Sequence, residues 1–428
     1  MLLVTCVFLF LLLTGMPVAF AIGISGTVFF LQHLELPFTI PVQLAISQTQ
    51  NFALLAIPMF IFAGNLMNQT GITQRLLTLA AVLTGHMRGG LAQVSVVLAA
   101  LMGGVSGSCI ADASMEARVL GPEMIRKGYA KGYVTALIGF ASLITPVIPP
   151  GIGLILYGTV GQISVGRLFA GGIVPGLLMT LFLMAAVSIS AKRRGYLPER
   201  SNRASLKEVL AALGSGVWAL LFPVMLLLGL RFGLFTPSEV GTFAAVYAAV
   251  VGIWAYRELT WERFKRALEG TIIDIGAVMF LIALSGIFGY GIVWERIPEV
   301  IAGFMLGISG NPHVLLLIII AFLLLAGMFI DGSVLILMLT PIFLPIAMKL
   351  GLDPVHFGLI FVIAITIGNV TPPVGAAMYA VCSIVDCPLE DYMKETLPFL
   401  VAVVLVTVLL IYLPDLVLFV PNLIFGRG

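Results

Sequence analysis

The sequence predicts an all-α polytopic membrane protein built from two inverted structural repeats, each with one re-entrant hairpin and one proline-broken helix. Three observations carry this. First, 60% of the 428 residues are apolar and only 10% are charged, with a mean hydropathy of +1.14; a soluble domain carries about 25% charged residues. Second, Ser142-Leu-Ile-Thr-Pro-Val-Ile-Pro-Pro-Gly-Ile-Gly153 and Gly368-Asn-Val-Thr-Pro-Pro-Val-Gly375 nearly copy each other inside long apolar runs, their Thr-Pro pairs 226 positions apart. Proline has no amide hydrogen and clashes with the carbonyl one turn back, so neither run is one unbroken helix. Third, basic residues gather in two loops separated by two crossings.

A bilayer core of about 30 Å needs roughly 20 helical residues per crossing. Residues 1–31 make the first such run; they contain Ala19-Phe-Ala21, which resembles a signal-peptidase site. They lack a basic n-region and exceed the length of an h-region, so they read as a retained span. Residues 53–67 form a shorter crossing, and 91–125 are apolar on both sides of Gly103-Gly-Val-Ser-Gly-Ser108. Such a break marks a re-entrant hairpin rather than a kinked helix, because the same order recurs later. The broken helix 131–160 and plain spans at 167–190, 212–232, 238–256 and 271–292 follow. A second hairpin at 313–350 breaks at Asp331-Gly-Ser333, and 356–384 and 396–420 complete the chain.

Each half therefore runs from a short span through an amphipathic stretch and a hairpin to a broken helix and a plain span. Met59-Phe60 answers Met279-Phe280, Gly107-Ser108 answers Gly332-Ser333, and Thr145-Pro146 answers Thr371-Pro372, at offsets of 220, 225 and 226. Loop charge sets the hand of the repeat. Lys192 to Lys207 carries six basic residues, and Tyr256 to Arg266 is basic again. Two crossings return the chain to one face, so both loops are cytoplasmic by the positive-inside rule. Counting back places Arg126-Lys127 and Lys131 inside, and counting forward places Lys349 outside. The first hairpin then enters from the cytoplasm, the second from outside.

Broken helices at mid-membrane survive only where protein or a water-filled cavity satisfies the freed backbone groups, and paired breaks point to a transporter's binding site. Half-helix C-termini favour cations and N-termini favour anions. Hydroxyls of Ser106, Ser108, Thr145 and Thr371 and the Asn369 amide oxygen add neutral oxygen donors, a set that suits sodium, with room between the two breaks for an anionic solute. Asp112 and Asp331 are the carboxylates nearest the breaks; a mid-membrane carboxylate is a functional candidate by default. The alternative for each is an N-cap at the second hairpin arm. Glu116 and Arg118 follow on the same hairpin arm and could pair with each other or touch the solute, but a structural or interfacial role is the favoured reading.

Other chemistries find no support. There is no G-x-x-x-x-G-K-[ST] for ATP, no nucleophile–base pair and no metal-ligand spacing among His33, His86, His313 and His356. Cys6, Cys109, Cys382 and Cys387 form no CxxC pair, and a net charge of +2 gives no reason to expect nucleic acid. Asn68-Gln-Thr70 and Asn369-Val-Thr371 match the glycosylation sequon, but the second lies inside a span, where the match means nothing. The chain reads as a carrier without cofactor, not an enzyme.

The two breaks, Gly104-Val-Ser-Gly-Ser-Cys-Ile-Ala-Asp-Ala113, Gly233-Leu-Phe-Thr-Pro-Ser-Glu239 and Gly327-Met-Phe-Ile-Asp331 with Thr340-Pro-Ile-Phe-Leu-Pro345 together resemble the large membrane subunit, DctM type, of tripartite ATP-independent periplasmic (TRAP) transporters. The resemblance covers essentially the whole chain. It departs at Ser114-Met-Glu-Ala-Arg118, where the family runs Ala-rich. It implies a multi-pass protein of the bacterial or archaeal cytoplasmic membrane that imports a small organic acid anion (a C4-dicarboxylate, 2-oxo acid or sugar acid) with Na+ as coupling ion. It implies an elevator-type transport domain sliding against a scaffold, a small four-helix membrane subunit and a periplasmic substrate-binding protein as partners.

On the same resemblance, one sodium site comprises Ser106, Ser108, Thr145 and Pro146, and the other Asp331, Gly332, Gly368, Asn369 and Thr371. The anion falls to Ser106, Gly107, Asp112, Pro149, Pro150, Thr371, Pro372 and Pro373. The implied organisation is a scaffold segment over 1–50, a first repeat over 51–191, basic loops with two linking spans over 192–270, and a second repeat over 271–428. One positive charge entering across 100 mV supplies about 2.3 kcal/mol, so sodium can drive accumulation without ATP. The rival reading is a stand-alone ion-coupled carrier that needs no binding protein.

Overall fold

The computed structural model describes residues 1–50, 52–309 and 311–426. Asn51, where the first repeat is expected to begin, and Arg427 and Gly428 at its end of the second lie outside the described residues. All secondary structure among the described residues is helical. The N-terminal run folds as two helices, α1 (Leu2–Leu13) and α2 (Val18–Gln32), rather than the single span expected over 1–31. The reason is local: Gly15 adopts a left-handed φ of +81°, and Pro17 is extended at the start of α2. Next come α3 (Ile40–Thr49), α4 (Ala56–Asn68) and the amphipathic α5 (Ile72–Thr84).

The first hairpin is α6 (Gly90–Gly103) and α7 (Cys109–Val119), continued by α8 (Gly121–Arg126). At about 1.5 Å per residue, neither main arm reaches across a bilayer. The first broken helix is α9 (Lys131–Ala141) and α10 (Ile152–Gly161), and α11 (Val165–Arg194) follows. The two linking helices are α12 (Leu206–Arg231) and α13 (Pro237–Val250). Both open with a capping box, Ser205 with Glu208 and Thr236 with Glu239, which satisfies amides that a helix start leaves unpaired. The expected 271–292 span is the inner part of α14 (Trp261–Trp294), and α15 (Ile297–Ile308) follows.

The second hairpin is α16 (Pro312–Gly327) and α17 (Gly332–Lys349). Although α17 is long and apolar enough to cross a membrane, its first residue, Gly332, lies against the Asn369 side chain in the middle of the broken helix α18 (Pro354–Asn369) and α19 (Ala376–Val385). It is therefore a hairpin arm whose tip ends in the interior. The run expected over 396–420 divides into α20 (Leu389–Tyr412) and α21 (Pro414–Phe425), because Pro414 cannot continue the preceding helix and instead occupies its favoured place in a first turn.

Two sets of helices emerge. In one, α14 packs on α2, α3 and α4, while α13 packs on α4 and α12 on α5. In the other, α9 packs on α20, α11 on α20 and α21, α16 on α18, and α7 on α19. Both basic loops are tied down by ion pairs, Lys127 with Glu199 and Arg75 with Glu258 at 2.6 Å, and α5 runs between the two loops, its ends marked by Gly71 beside Glu258 and Gly85 beside Glu199.

Candidate functional site

The first tip is the turn Ser106-Gly107-Ser108. Gly107 has φ +64°, and a Cβ there would collide with the Pro150 carbonyl oxygen; only glycine fits. The tip is tied to the first break by a hydrogen bond of 3.5 Å from the Ile152 amide to the Gly107 carbonyl. Beyond Ser142–Ile144, Thr145 still has helical angles, and hydrogen-bonded turns carry the chain through Pro146 to Ile148 before the cis bond at Pro149-Pro150 and the start of α10. Ser108 caps α7 by accepting from the Ala111 amide at 3.4 Å. Asp112 is thus not the cap: it accepts instead from the Ser106 hydroxyl, and its other oxygen, Oδ1, is buried without a partner. The Thr145 hydroxyl lies beside this carboxyl without a well-formed hydrogen bond.

Glu116 does not pair with Arg118, since residues two apart on a helix point to different sides. It is fully buried and accepts from the Ser95 hydroxyl at 2.7 Å, whereas Arg118 is exposed.

The second tip uses different side chains. Asp331 caps α17, accepting from the Ser333 amide at 2.9 Å, which is the capping alternative. Gly368 packs backbone to backbone on Gly327, so that a Cβ on either would overlap the other helix. The Gly375 amide donates to the Met328 carbonyl at 3.0 Å, tying the second tip to the second break. Thr371 donates to the Ile367 carbonyl at 2.6 Å and keeps its lone pairs free. Tyr392 of α20 donates to the Val370 carbonyl at 2.6 Å, satisfying a group freed by the break. Asn369 Oδ1 is buried without a partner. Pro372-Pro373 is again cis, but here Pro372 is half-buried and Pro373 exposed.

Both tips meet at a cavity of about 450 Å³. Ser106, Gly107, Ser108 and Pro146 line it from the first half, and Asp331, Gly332 and Asn369 from the second. Asp112, Thr145, Gly368 and Thr371 are buried outside this lining, as are Pro149 and Pro150, and Pro372 and Pro373 do not reach it. The opposite wall was not anticipated: Asn65 and Asn68 of α4 and Asp274 of α14. Asn65 donates to Asp274 Oδ2 and to the Thr271 hydroxyl, both at 3.1 Å. A carboxylate inside the run 271–292 was the available signal. Ser333 and Thr366 also line the cavity.

Residues 5–416 match the family model described as Tripartite ATP-independent periplasmic transporter, DctM component. The chain belongs to this family. Its relatives include the sialic acid TRAP transporter large permease protein of Vibrio cholerae, 35% identical over 98% of this chain and 97% of the relative. The C4-dicarboxylate TRAP transporter large permease protein of Pseudomonas aeruginosa is 36% identical over 87% of each chain. The isethionate TRAP transporter permease protein DctMQ of Oleidesulfovibrio alaskensis is 35% identical over 96% of this chain and 65% of its own length. The crystal structure of the Alcanivorax borkumensis YdaH transporter shares the fold, with a TM-score of 0.64 over 87% of each chain at 15% identity. This DctM component is a membrane transport protein, not an enzyme, and its two hairpins and two broken helices form the centre of the fold.

Proposed function

We propose that this DctM component imports a small organic acid anion coupled to sodium. One observation carries the reading: each hairpin tip is bound to its own proline break by a backbone hydrogen bond, and buried oxygens without partners lie at both junctions, Asp112 Oδ1 and Thr145 Oγ1 at the first and Asn369 Oδ1 at the second. Other buried atoms also lack partners, Glu116 Oε1 among them, but these three sets of lone pairs stand where a tip meets a break, and a small cation there would supply what buried polar atoms ordinarily find. The first sodium site is Ser106, Ser108, Thr145 and Pro146, with Asp112 supplying charge behind them; the second is Asp331, Gly332, Gly368, Asn369 and Thr371. The anion occupies the cavity between the tips, against Ser106 and Gly107.

The hairpins and broken helices move as an elevator against the α2–α4 and α12–α14 set, the inverted repeats exchanging an inward-open state for an outward-open one. The protein sits in the cytoplasmic membrane, its basic loops inside. A periplasmic binding protein delivers the anion, and a small membrane subunit completes the complex; the isethionate relative has about a third of its length beyond the match, room for such a subunit in one chain. Relatives named for sialic acid, isethionate and C4-dicarboxylates leave the substrate class at small organic acids.

The test is uptake into proteoliposomes containing this chain, the small subunit and the binding protein. Uptake is expected to stop when potassium replaces sodium, and also when the binding protein is omitted. Sodium-independent uptake would overturn the coupling; undiminished uptake without the binding protein would favour a stand-alone carrier.

A further inference from the structure

Away from the tips, α11 and α20 run antiparallel and enclose a groove of about 680 Å³. Its floor is made of small residues, Ala186 and Ala402, both buried. Its lips are apolar and stand out from the protein: Ile189 is 58% exposed, Leu397 66% and Leu405 52%. The groove extends from Phe182 to Arg194 on one helix and from Lys394 to Leu405 on the other. At 1.5 Å per residue that is about 16–18 Å, close to the thickness of one leaflet, half of a hydrocarbon core of about 30 Å. One end is closed by charge. Arg193, Arg194 and Lys394 gather there around a single lining carboxylate, Glu395. Arg194 bonds Glu395, Lys394 bonds Asp391 at 3.0 Å, and among the described residues Arg193 has no acidic partner.

We infer that this groove binds one anionic phospholipid of the leaflet next to the basic loops, with its phosphate on Arg193, Arg194 and Lys394 and an acyl chain laid between Ile189 and Leu405. Three features select this occupant. The groove is as long as an acyl chain in one leaflet, its wall is apolar along that length, and its basic residues stand only at the end where a headgroup belongs. Such basic pockets between transmembrane helices recognise anionic headgroups. A soluble anion would use the rim and leave the apolar wall unused. A transmembrane helix of a partner would cover the wall but would not call for an unpaired arginine at its end. The site also touches the transport machinery: Tyr392, two residues before Lys394, bonds the Val370 carbonyl at the second break, so a bound lipid would brace the helix that supports that break.

The experiment uses the full chain, alone and with the small membrane subunit, purified in detergent and exposed to phosphatidylglycerol or phosphatidylcholine at equal concentration. Native mass spectrometry is expected to show one retained phosphatidylglycerol and little phosphatidylcholine, with a higher unfolding temperature for the former. Two variants test the two halves of the site. Arg193→Gln with Lys394→Gln removes headgroup contacts, and Ala185→Phe fills the groove from an exposed lip position without entering the core. Each is expected to lower phosphatidylglycerol occupancy about tenfold, a change of ~1.4 kcal/mol, with sodium-induced stabilisation intact. Equal retention of the two lipids, or unchanged occupancy in both variants, would overturn the inference. Loss of the small subunit from Ala185→Phe without loss of lipid would show that the groove is a protein interface instead.

Discussion

The two tips use the same backbone device and different side-chain chemistry. In the first half, Ser108 takes the capping role, and Asp112 is left with one oxygen on Ser106 and one without a partner. In the second half, Asp331 itself is the cap, and the orphan oxygen belongs to the neutral Asn369. The first break is buried through Pro149-Pro150, whereas the second turns outward at Pro373 and at Val374, which is 44% exposed. The two halves thus agree in where the helix breaks but not in what fills the break. The first junction offers a buried carboxylate to a cation; the second offers amide, hydroxyl and carbonyl oxygens, with its carboxylate partly committed to holding the helix start.

If that contrast is right, charge removal should matter most in the first half. Asp112→Asn keeps the shape and the Ser106 contact but removes the negative charge. Sodium affinity, read as sodium-dependent thermal stabilisation, is expected to fall about a hundredfold, or ~2.8 kcal/mol. An equal loss of stability in sodium-free buffer would point to a folding role instead.

Glycine substitution should separate the tips next. Gly107→Ala is forced into left-handed backbone and into the Pro150 carbonyl, and should lower stability by about 1–3 kcal/mol. Gly332→Ala meets two side-chain ends and no backbone, the Asn369 amide at 3.1 Å and Ile365 Cγ2 at 3.3 Å, so it should lower the unfolding temperature less than Gly107→Ala while weakening sodium binding. Similar unfolding temperatures for the two variants would erase the distinction.

Asp331 separates capping from ligation. Asp331→Asn retains a good cap, while Asp331→Ala loses about 1 kcal/mol of helix stability. A drop in sodium affinity in Asp331→Asn with unchanged stability assigns the carboxylate to the ion; unchanged affinity leaves it a cap alone.

The smallest effects are expected at the second break. Tyr392→Phe leaves the Val370 carbonyl unsatisfied and should cost about 1 kcal/mol, measured by chemical denaturation in detergent. Thr371→Ala should weaken the sodium dependence of uptake more than it weakens assembly with the small subunit, scored by co-purification. Equal loss of both would make Thr371 structural.

Much of this was legible in the chain because proline and glycine act locally. Thr145-Pro146, Thr371-Pro372, Gly107 and Gly332 mark breaks and turns whatever surrounds them. Pro17 and Pro414 do the same, yet uniform hydropathy across 1–31 and 396–420 hid the ends of four helices behind two apparent spans. The capping alternative for Asp112 and its pairing alternative for Glu116 went differently, because Ser108 and Ser95, set by the turn and by the facing helix, were nearer partners.

The sequence by itself determined the all-helical membrane class, the family and the positions of both breaks, since composition and backbone chemistry depend on residue type alone. Tertiary structure decided which oxygens remain unpaired, that Asn65 and Asp274 face the tips from another helix set, and that Tyr392 supports the second break. The Asn65–Asp274 bond alone joins residues 209 positions apart. Such relations exist only once the helices pack, because no local preference brings such residues together.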